Sequence, residues 1–223
     1  MNSERKSPER RGRKARRTRD TLAQAAFELV LDRGLRSVTV EEIAERADVD
    51  RRTFSRYFTS KEAAVLDSIR GDGDRINDAL RARPAGEPPL TAYRRAVEDW
   101  LEDPDIPAWH RRERIFELVV LAEREPTLYA AFHHIRVDAQ EDSVAILADR
   151  LGVDARNDLR PAVAVAAGAG ALLAAQAAWA RADRPDDLPR LIGQAFDALA
   201  GELLTRSPGG RAPHRTTEES RDR

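Results

Sequence analysis

The sequence of 223 residues predicts an all-α protein of about nine helices. Apolar residues recur three and four positions apart along most of the chain, which is the spacing of one helix face. No stretch alternates with a period of two, so no strand is needed. Glycine and proline fall between the periodic runs, where they end helices. With 41% hydrophobic residues the chain can bury a core despite carrying 35% charged ones. It has no cysteine, which excludes disulfides, thiolate zinc sites and a cysteine nucleophile.

Helix 1 is expected from about Lys14 to Arg33, with Leu22, Ala26, Leu29 and Val30 facing inward and Gly34 as its stop. Thr39 followed by Glu42 is a capping box and opens helix 2, whose inner face is Ile43, Ala44 and Ala47. Ala47-Asp48-Val49-Asp50 turns the chain into helix 3, with Asp50 as N-cap and Phe54 and Phe58 as anchors beneath. Arg51, Arg52, Thr53, Ser55 and Arg56 then face outward on its N-terminal half, the part a helix-turn-helix inserts into the major groove. Ser60 caps helix 4, in which Val65, Ile69, Ile76 and Leu80 repeat until Arg83-Pro84. Gly71 and Gly73 weaken its middle, marking either a bend or two tolerated glycines. Five further helices are expected over about 90–102, 108–124, 127–151, 159–182 and 187–204, separated by Pro104-Pro107, Pro126, Gly152 and Pro185.

The segment TVEEIAERADVDRRTFSRYFTSK resembles the DNA-binding domain of the TetR family of bacterial repressors. Thr39, Val40, Ile43, Ala44, Ala47, Val49, Thr53, Phe54, Tyr57, Phe58, Ser60, Lys61 and Glu62 stand where that family has them, and the likeness spans roughly residues 16–65. Asp50 replaces the usual serine, an equally good cap, and Ser55 replaces the usual tyrosine. The RRTFSRYF run is similar to an actinobacterial subgroup that includes mycofactocin-type regulators. The resemblance implies base contacts from Arg51, Arg52 and Thr53 and phosphate contacts from Thr39, Tyr57 and Lys61. It also implies an inducer pocket within helices 4 to 8 and a homodimer whose last two long helices pair as a four-helix bundle.

Charge is distributed unevenly. Residues 1–61 carry 16 Lys/Arg against 10 Asp/Glu, and the remainder carries 22 against 29. Residues 1–13 read as a basic disordered arm; with Lys14, Arg16 and Arg17 beyond it, this end can track phosphates or remain a solvated tail. The expected organisation is this arm, a helix-turn-helix domain over 14–61, a helical ligand-binding and dimerisation domain over 62–205, and a disordered tail over 206–223. The N-terminus has no apolar run of the signal-peptide kind, so a cytoplasmic location is expected.

Ala162 to Ala180 reaches membrane-spanning length with Gln176 as its one strongly polar member. Alanine and glycine dominate it and charges crowd its flanks, so it reads as a closely packed core or dimer helix, with no membrane partner. His133-His134-Ile135-Arg136-Val137-Asp138 spells an acyltransferase-like HHxxxD pattern, but it lies within a helical pattern. Adjacent histidines on a helix diverge by about 100° and cannot share one metal ion. No phosphate loop, dinucleotide fingerprint or nucleophile elbow occurs, so no catalytic residue, cofactor or metal is assigned.

Among the aromatic residues of the C-terminal part, Trp100, Phe116, Phe132 and Trp179 are the candidate lining of an apolar effector cavity. The expected function is a dimeric, sequence-specific repressor that binds a pseudo-palindromic operator in double-stranded DNA and is released by a small, largely apolar molecule of unidentified structure. The competing reading is a helical protein-interaction module. A purely structural helix-turn-helix has no need of Arg51, Arg52, Thr53, Tyr57 and Lys61 together on one side, which favours the repressor.

Overall fold

A computed structural model describes residues 8–182, 184 and 187–204, and these contain ten α-helices and no strand. Residues 1–7 of the expected arm and the expected tail at 206–223 lie outside the described residues. Helix α1 (Pro8–Arg33) begins six residues before the expected start, so residues 8–13 are helical rather than a disordered arm. Proline is favoured in a first turn, and the following arginines, lysine and alanine are good helix formers. The helix ends at Gly34, where φ of 81° suits glycine. A 3-10 turn (Leu35–Ser37) leads to α2 (Val40–Arg46) and α3 (Arg51–Tyr57).

The expected helix 4 is two helices, α4 (Lys61–Val65) and α5 (Asp67–Ala82), which accounts for ten instead of nine. The break falls at buried Leu66, whose φ/ψ of −88°/1° leave the helical ladder. Gly71 and Gly73 instead lie inside the continuous α5. An added Cβ at Gly73 would stand 2.7 Å from Ala139 Cβ, so this glycine permits close packing of α5 on α8. Gly71 is exposed and faces open space.

Helix α6 (Pro89–Glu102) follows as expected, but the helix expected over 108–124 is shortened to α7 (Ile115–Ala122), preceded by a 3-10 turn at Trp109–Arg111. Arg114 causes the difference. Its φ of 58° is left-handed, a conformation costing an arginine roughly 1 kcal/mol, and its guanidinium is held by Glu117 and by Asp32 of α1 at 2.8 Å. Helices α8 (Pro126–Leu151), α9 (Arg160–Arg181) and α10 (Leu188–Leu204) match the sequence reading closely. Gly152 closes α8 with a φ of 64°.

Helix α5 packs between α6 and α8, α9 lies across α6 and α8, and α10 packs on α9. By length and composition α9 could cross a membrane. One side of it is nevertheless built into the core through Val165, Gly168, Leu172, Ala175 and fully buried Trp179. Gly168 lets the Tyr93 ring approach, since an added Cβ would lie 2.5 Å from Cδ1. Arg150 of α8 donates to the carbonyls of Arg83 and Pro84, both at 2.6 Å, and so satisfies the C-terminal end of α5.

Candidate nucleic-acid interface and interior cavity

The N-terminal unit is assembled by caps. Thr39 Oγ1 accepts from the Glu42 backbone N–H at 3.2 Å, and Glu42 Oε2 accepts from the Thr39 N–H at 2.8 Å, which completes the expected capping box. These bonds, with Arg33 at 2.7 Å, push the half-buried Glu42 carboxyl down to about 2. The turn after α2 is a Schellman motif: Val49 N–H reaches the Ala44 carbonyl and Asp48 N–H the Glu45 carbonyl, both at 3.0 Å. Asp48 takes the left-handed position at φ 53°, which aspartate tolerates better than most side chains. Asp50 Oδ1 then accepts from Thr53 N–H at 2.6 Å and starts α3. That bond and nearby Arg52 and Arg56 hold the Asp50 carboxyl below its ordinary value.

Buried Phe54 and Phe58, with ring centroids 5.7 Å apart, fix α3 against the core. This leaves Arg51, Arg52, Ser55 and Arg56 exposed on one surface, with Thr53 and Tyr57 half-buried at its margin. Arg51 pairs with Glu41 of α2 at 2.7 Å, both largely exposed, and the Arg56 guanidinium lies 5.1 Å from the Tyr57 ring centroid. Arg13, Lys14, Arg16 and Arg17 project exposed from α1. Lys61, expected to contact a phosphate, also makes bonds within the protein. Its half-buried ammonium donates to the carbonyls of Leu35 and Val38 at 2.6 and 2.8 Å, clamping the connection between α1 and α2.

Arg19, which the sequence reading did not single out, ties this unit to the rest. It grips Asp67 of α5 with both Nε and Nη2, donates from Nη1 to the Tyr57 carbonyl at 3.3 Å and covers the Phe58 ring at 4.7 Å. The Asp67 hydrogen bond accordingly raises the Arg19 pKa.

Between α5, α6, α8 and α9 lies a cavity of about 90 Å³. Trp100 and Phe132, two of the four expected lining residues, are on its wall together with Tyr93 and Trp109. Phe116 and Trp179 are not. They stack edge to face at 4.8 Å, with Trp179 also meeting Trp109 at 5.6 Å, and support the wall from behind.

The cavity also has polar members that apolar periodicity does not reveal. Asp72, 3% exposed, receives Trp100 Nε1 at 2.9 Å, Arg112 at 2.8 Å and Arg75 at 3.0 Å. Burial raises its pKa, and those three donors oppose the rise. Ser143 Oγ lies 2.6 Å from Asn77 Oδ1, and Asn77 Nδ2 donates to the Ala139 carbonyl. Arg136, Gln140 and Gln176 complete the polar lining. The HHxxxD histidines instead lie on the exposed side of α8, where His133 stacks on Tyr129. An aspartate inside the helical pattern of helix 4 was the available signal for the buried cluster, but its partners lie up to 40 residues away.

A family model of bacterial regulatory proteins, tetR family, matches residues 22–66, and one described as the MftR C-terminal domain matches residues 87–204. The HTH-type transcriptional regulator TcmR of Streptomyces glaucescens is 37% identical over 211 residues, covering 91% of this chain and 92% of that protein. The protein named MftR from Mycobacterium tuberculosis is 27% identical over 199 residues, covering 86% of this chain and 94% of that one.

Proposed function

This chain belongs to the TetR family of bacterial transcriptional regulators, DNA-binding proteins and not enzymes, and from that premise we propose how it reads DNA and how a ligand controls it. The members of the family bind DNA as dimers. In the proposed complex, two copies of α3 enter successive major grooves of a pseudo-palindromic operator. Arg51, Arg52, Thr53, Ser55 and Arg56 meet base edges, while Thr39, Tyr57, Lys61, Arg16 and Arg17 approach phosphates. The observation that carries this reading is the exposed arginine surface on α3, held in place by the Asp50 cap and the Phe54 and Phe58 anchors. The DNA-reading unit then spans 14–61, and residues 62–205 bind the effector and dimerise. The work is done in the cytoplasm.

An outward stripe on α9 supports a dimer surface there. Leu159 and Val163 are 73% and 62% exposed, and Ala166, Gly170 and Ala174 continue the same face at helical spacing. Small side chains permit close approach of a second helix pair, as in a four-helix bundle.

For control, the cavity takes the effector. Its volume of about 90 Å³ is below the several hundred typical of ligand sites, so occupation must move a wall. Helix α5 carries Asp72 on that wall and, five residues earlier, Asp67 bonded to Arg19. At about 1.5 Å rise per residue the two lie roughly 7.5 Å apart along one rigid helix. A shift of α5 therefore loads the Arg19 bonds that reach α1 and α3. Effector and operator then weaken each other by the same factor, and the protein acts as a repressor released by its ligand.

Titrating the full chain onto the DNA flanking its own gene tests this reading. Two chains per site are expected, and Arg52→Ala should relax preference at particular base pairs by about 1 to 3 kcal/mol. Monomeric protein at micromolar concentration, with and without that DNA, would sink the dimeric reading.

A further inference from the structure

Arg136 sets the chemistry of the cavity. It projects from the middle of α8 into the same space as the rings of Trp100, Trp109 and Phe132. Across that space, Asp72 already receives Arg75, Arg112 and Trp100, so its charge is met. Among the described residues, no carboxylate lies within ion-pair distance of the Arg136 guanidinium. Its contacts are the Phe132 ring at 5.8 Å and a long bond from Nη2 to the Ala169 carbonyl at 3.4 Å. A guanidinium offers five N–H donors in a planar fork suited to a carboxylate, and most of these have no acceptor. Burial correspondingly lowers the Arg136 pKa, the direction of a charge that lacks compensation.

A second unmet group borders the same space. Gln176 Oε1 on α9 is buried without a hydrogen-bond donor among the described residues, and Gln176 lines both this cavity and the adjoining crevice beside Arg136. Tyr93, pushed up to about 12 by burial, keeps its proton at neutral pH and adds no negative charge. The space therefore holds flat apolar walls, one uncompensated cation and one acceptor awaiting a donor. A neutral hydrocarbon would leave the buried Gln176 acceptor unpaired and most of the half-buried Arg136 donors unmet, which is costly in a low-dielectric interior.

We propose that the effector is an aromatic acid whose anionic oxygens pair with Arg136 while its ring lies among Trp100, Trp109 and Phe132. This rests on the reading that the cavity takes the effector, and it changes the expected ligand from largely apolar to amphipathic and anionic. Gln176 favours acids that also carry a hydroxyl or N–H donor.

The probes are 2-naphthoate and its neutral isostere 2-naphthamide, titrated into the full chain by calorimetry. Tryptophan emission gives a second readout, because the protein's three tryptophans, Trp100, Trp109 and Trp179, all lie in or directly behind this wall. The naphthoate should bind at least about tenfold more tightly than the amide, as expected for a charge-assisted bond. Arg136→Met should erase that preference, and Arg136→Lys should retain part of it. Equal binding of the two probes to the unaltered protein, or of neither, overturns the proposal without reference to any variant. So does naphthoate binding left unchanged by Arg136→Met. The same preparations titrated onto the DNA flanking the gene separate the two ideas: intact DNA binding with failed probes removes the acid alone, whereas absent DNA binding removes the regulatory reading beneath it.

Discussion

The helix-turn-helix and the cavity-bearing helical body use polar groups in opposite ways. In the first, Thr39, Asp50 and Ser60 each bond a backbone N–H three residues on, at the protein surface. In the second, buried Asp72 gathers buried Trp100 and half-buried Arg112 from 28 and 40 residues away. Local caps define where short helices start, and each contributes modestly because water competes for the same groups. Buried long-range pairs define how long helices sit on one another, and removing one partner strands the others. The body is therefore the region where single polar changes have large effects, and the reading head is the region where they have small ones.

The strongest challenge to that contrast is Asp72→Ala. It should cost about 3 to 5 kcal/mol in denaturant unfolding at fixed protein concentration, since it leaves the Arg112 guanidinium and the Trp100 indole N–H without their acceptor, while Arg75 keeps Asp103. A loss below about 1 kcal/mol would mean that water enters the cavity and the cluster is not truly buried. Lys61→Met is the exception expected within the reading head, because its ammonium serves two carbonyls there. A cost of about 1 to 3 kcal/mol is anticipated, together with a dependence of DNA binding on log salt shallower by about one unit. An unaltered salt dependence would leave Lys61 with the structural clamp alone.

The glycines of α5 allow a comparison within one helix. Gly73→Ala should destabilise by about 1 to 3 kcal/mol through overpacking against Ala139, whereas Gly71→Ala, facing open space, should stabilise by about 0.5 to 1 kcal/mol. Equal effects in thermal melts would remove the close-packing account.

Smallest are the caps, with Thr39→Ala expected to cost about 1 kcal/mol. Because the folded-state pKa of Glu42 is depressed, its contribution is fully present above its ordinary value of 4.5 and is lost as pH falls towards about 2. A pH series comparing the parent with Glu42→Gln should show the parent losing its advantage across that window. An unchanged difference would place the capping carboxylate outside the balance.

The reading head was legible in the sequence almost residue by residue. The capping box at Thr39 and Glu42, the turn at Asp48, the Asp50 cap and the Phe54 and Phe58 anchors all depend on neighbours within a few positions, and such spacings survive in a linear chain. The long helices α8, α9 and α10 were also predicted close to their observed bounds, since their ends are marked by proline or glycine. Tertiary structure decided what spacing alone could not. It broke helix 4 at Leu66, where Arg19 of α1 draws in Asp67, and it cut the sixth expected helix short where Arg114 and Arg112 turn towards Asp32 and Asp72. It gave Lys61 the carbonyls of Leu35 and Val38, placed Phe116 and Trp179 behind the cavity instead of on it, and brought Arg136 and Gln176 to the same space. Helical periodicity reports which face of a segment avoids water. It carries no information about which distant face that surface will meet, and a buried charge or a cavity wall is determined by that meeting.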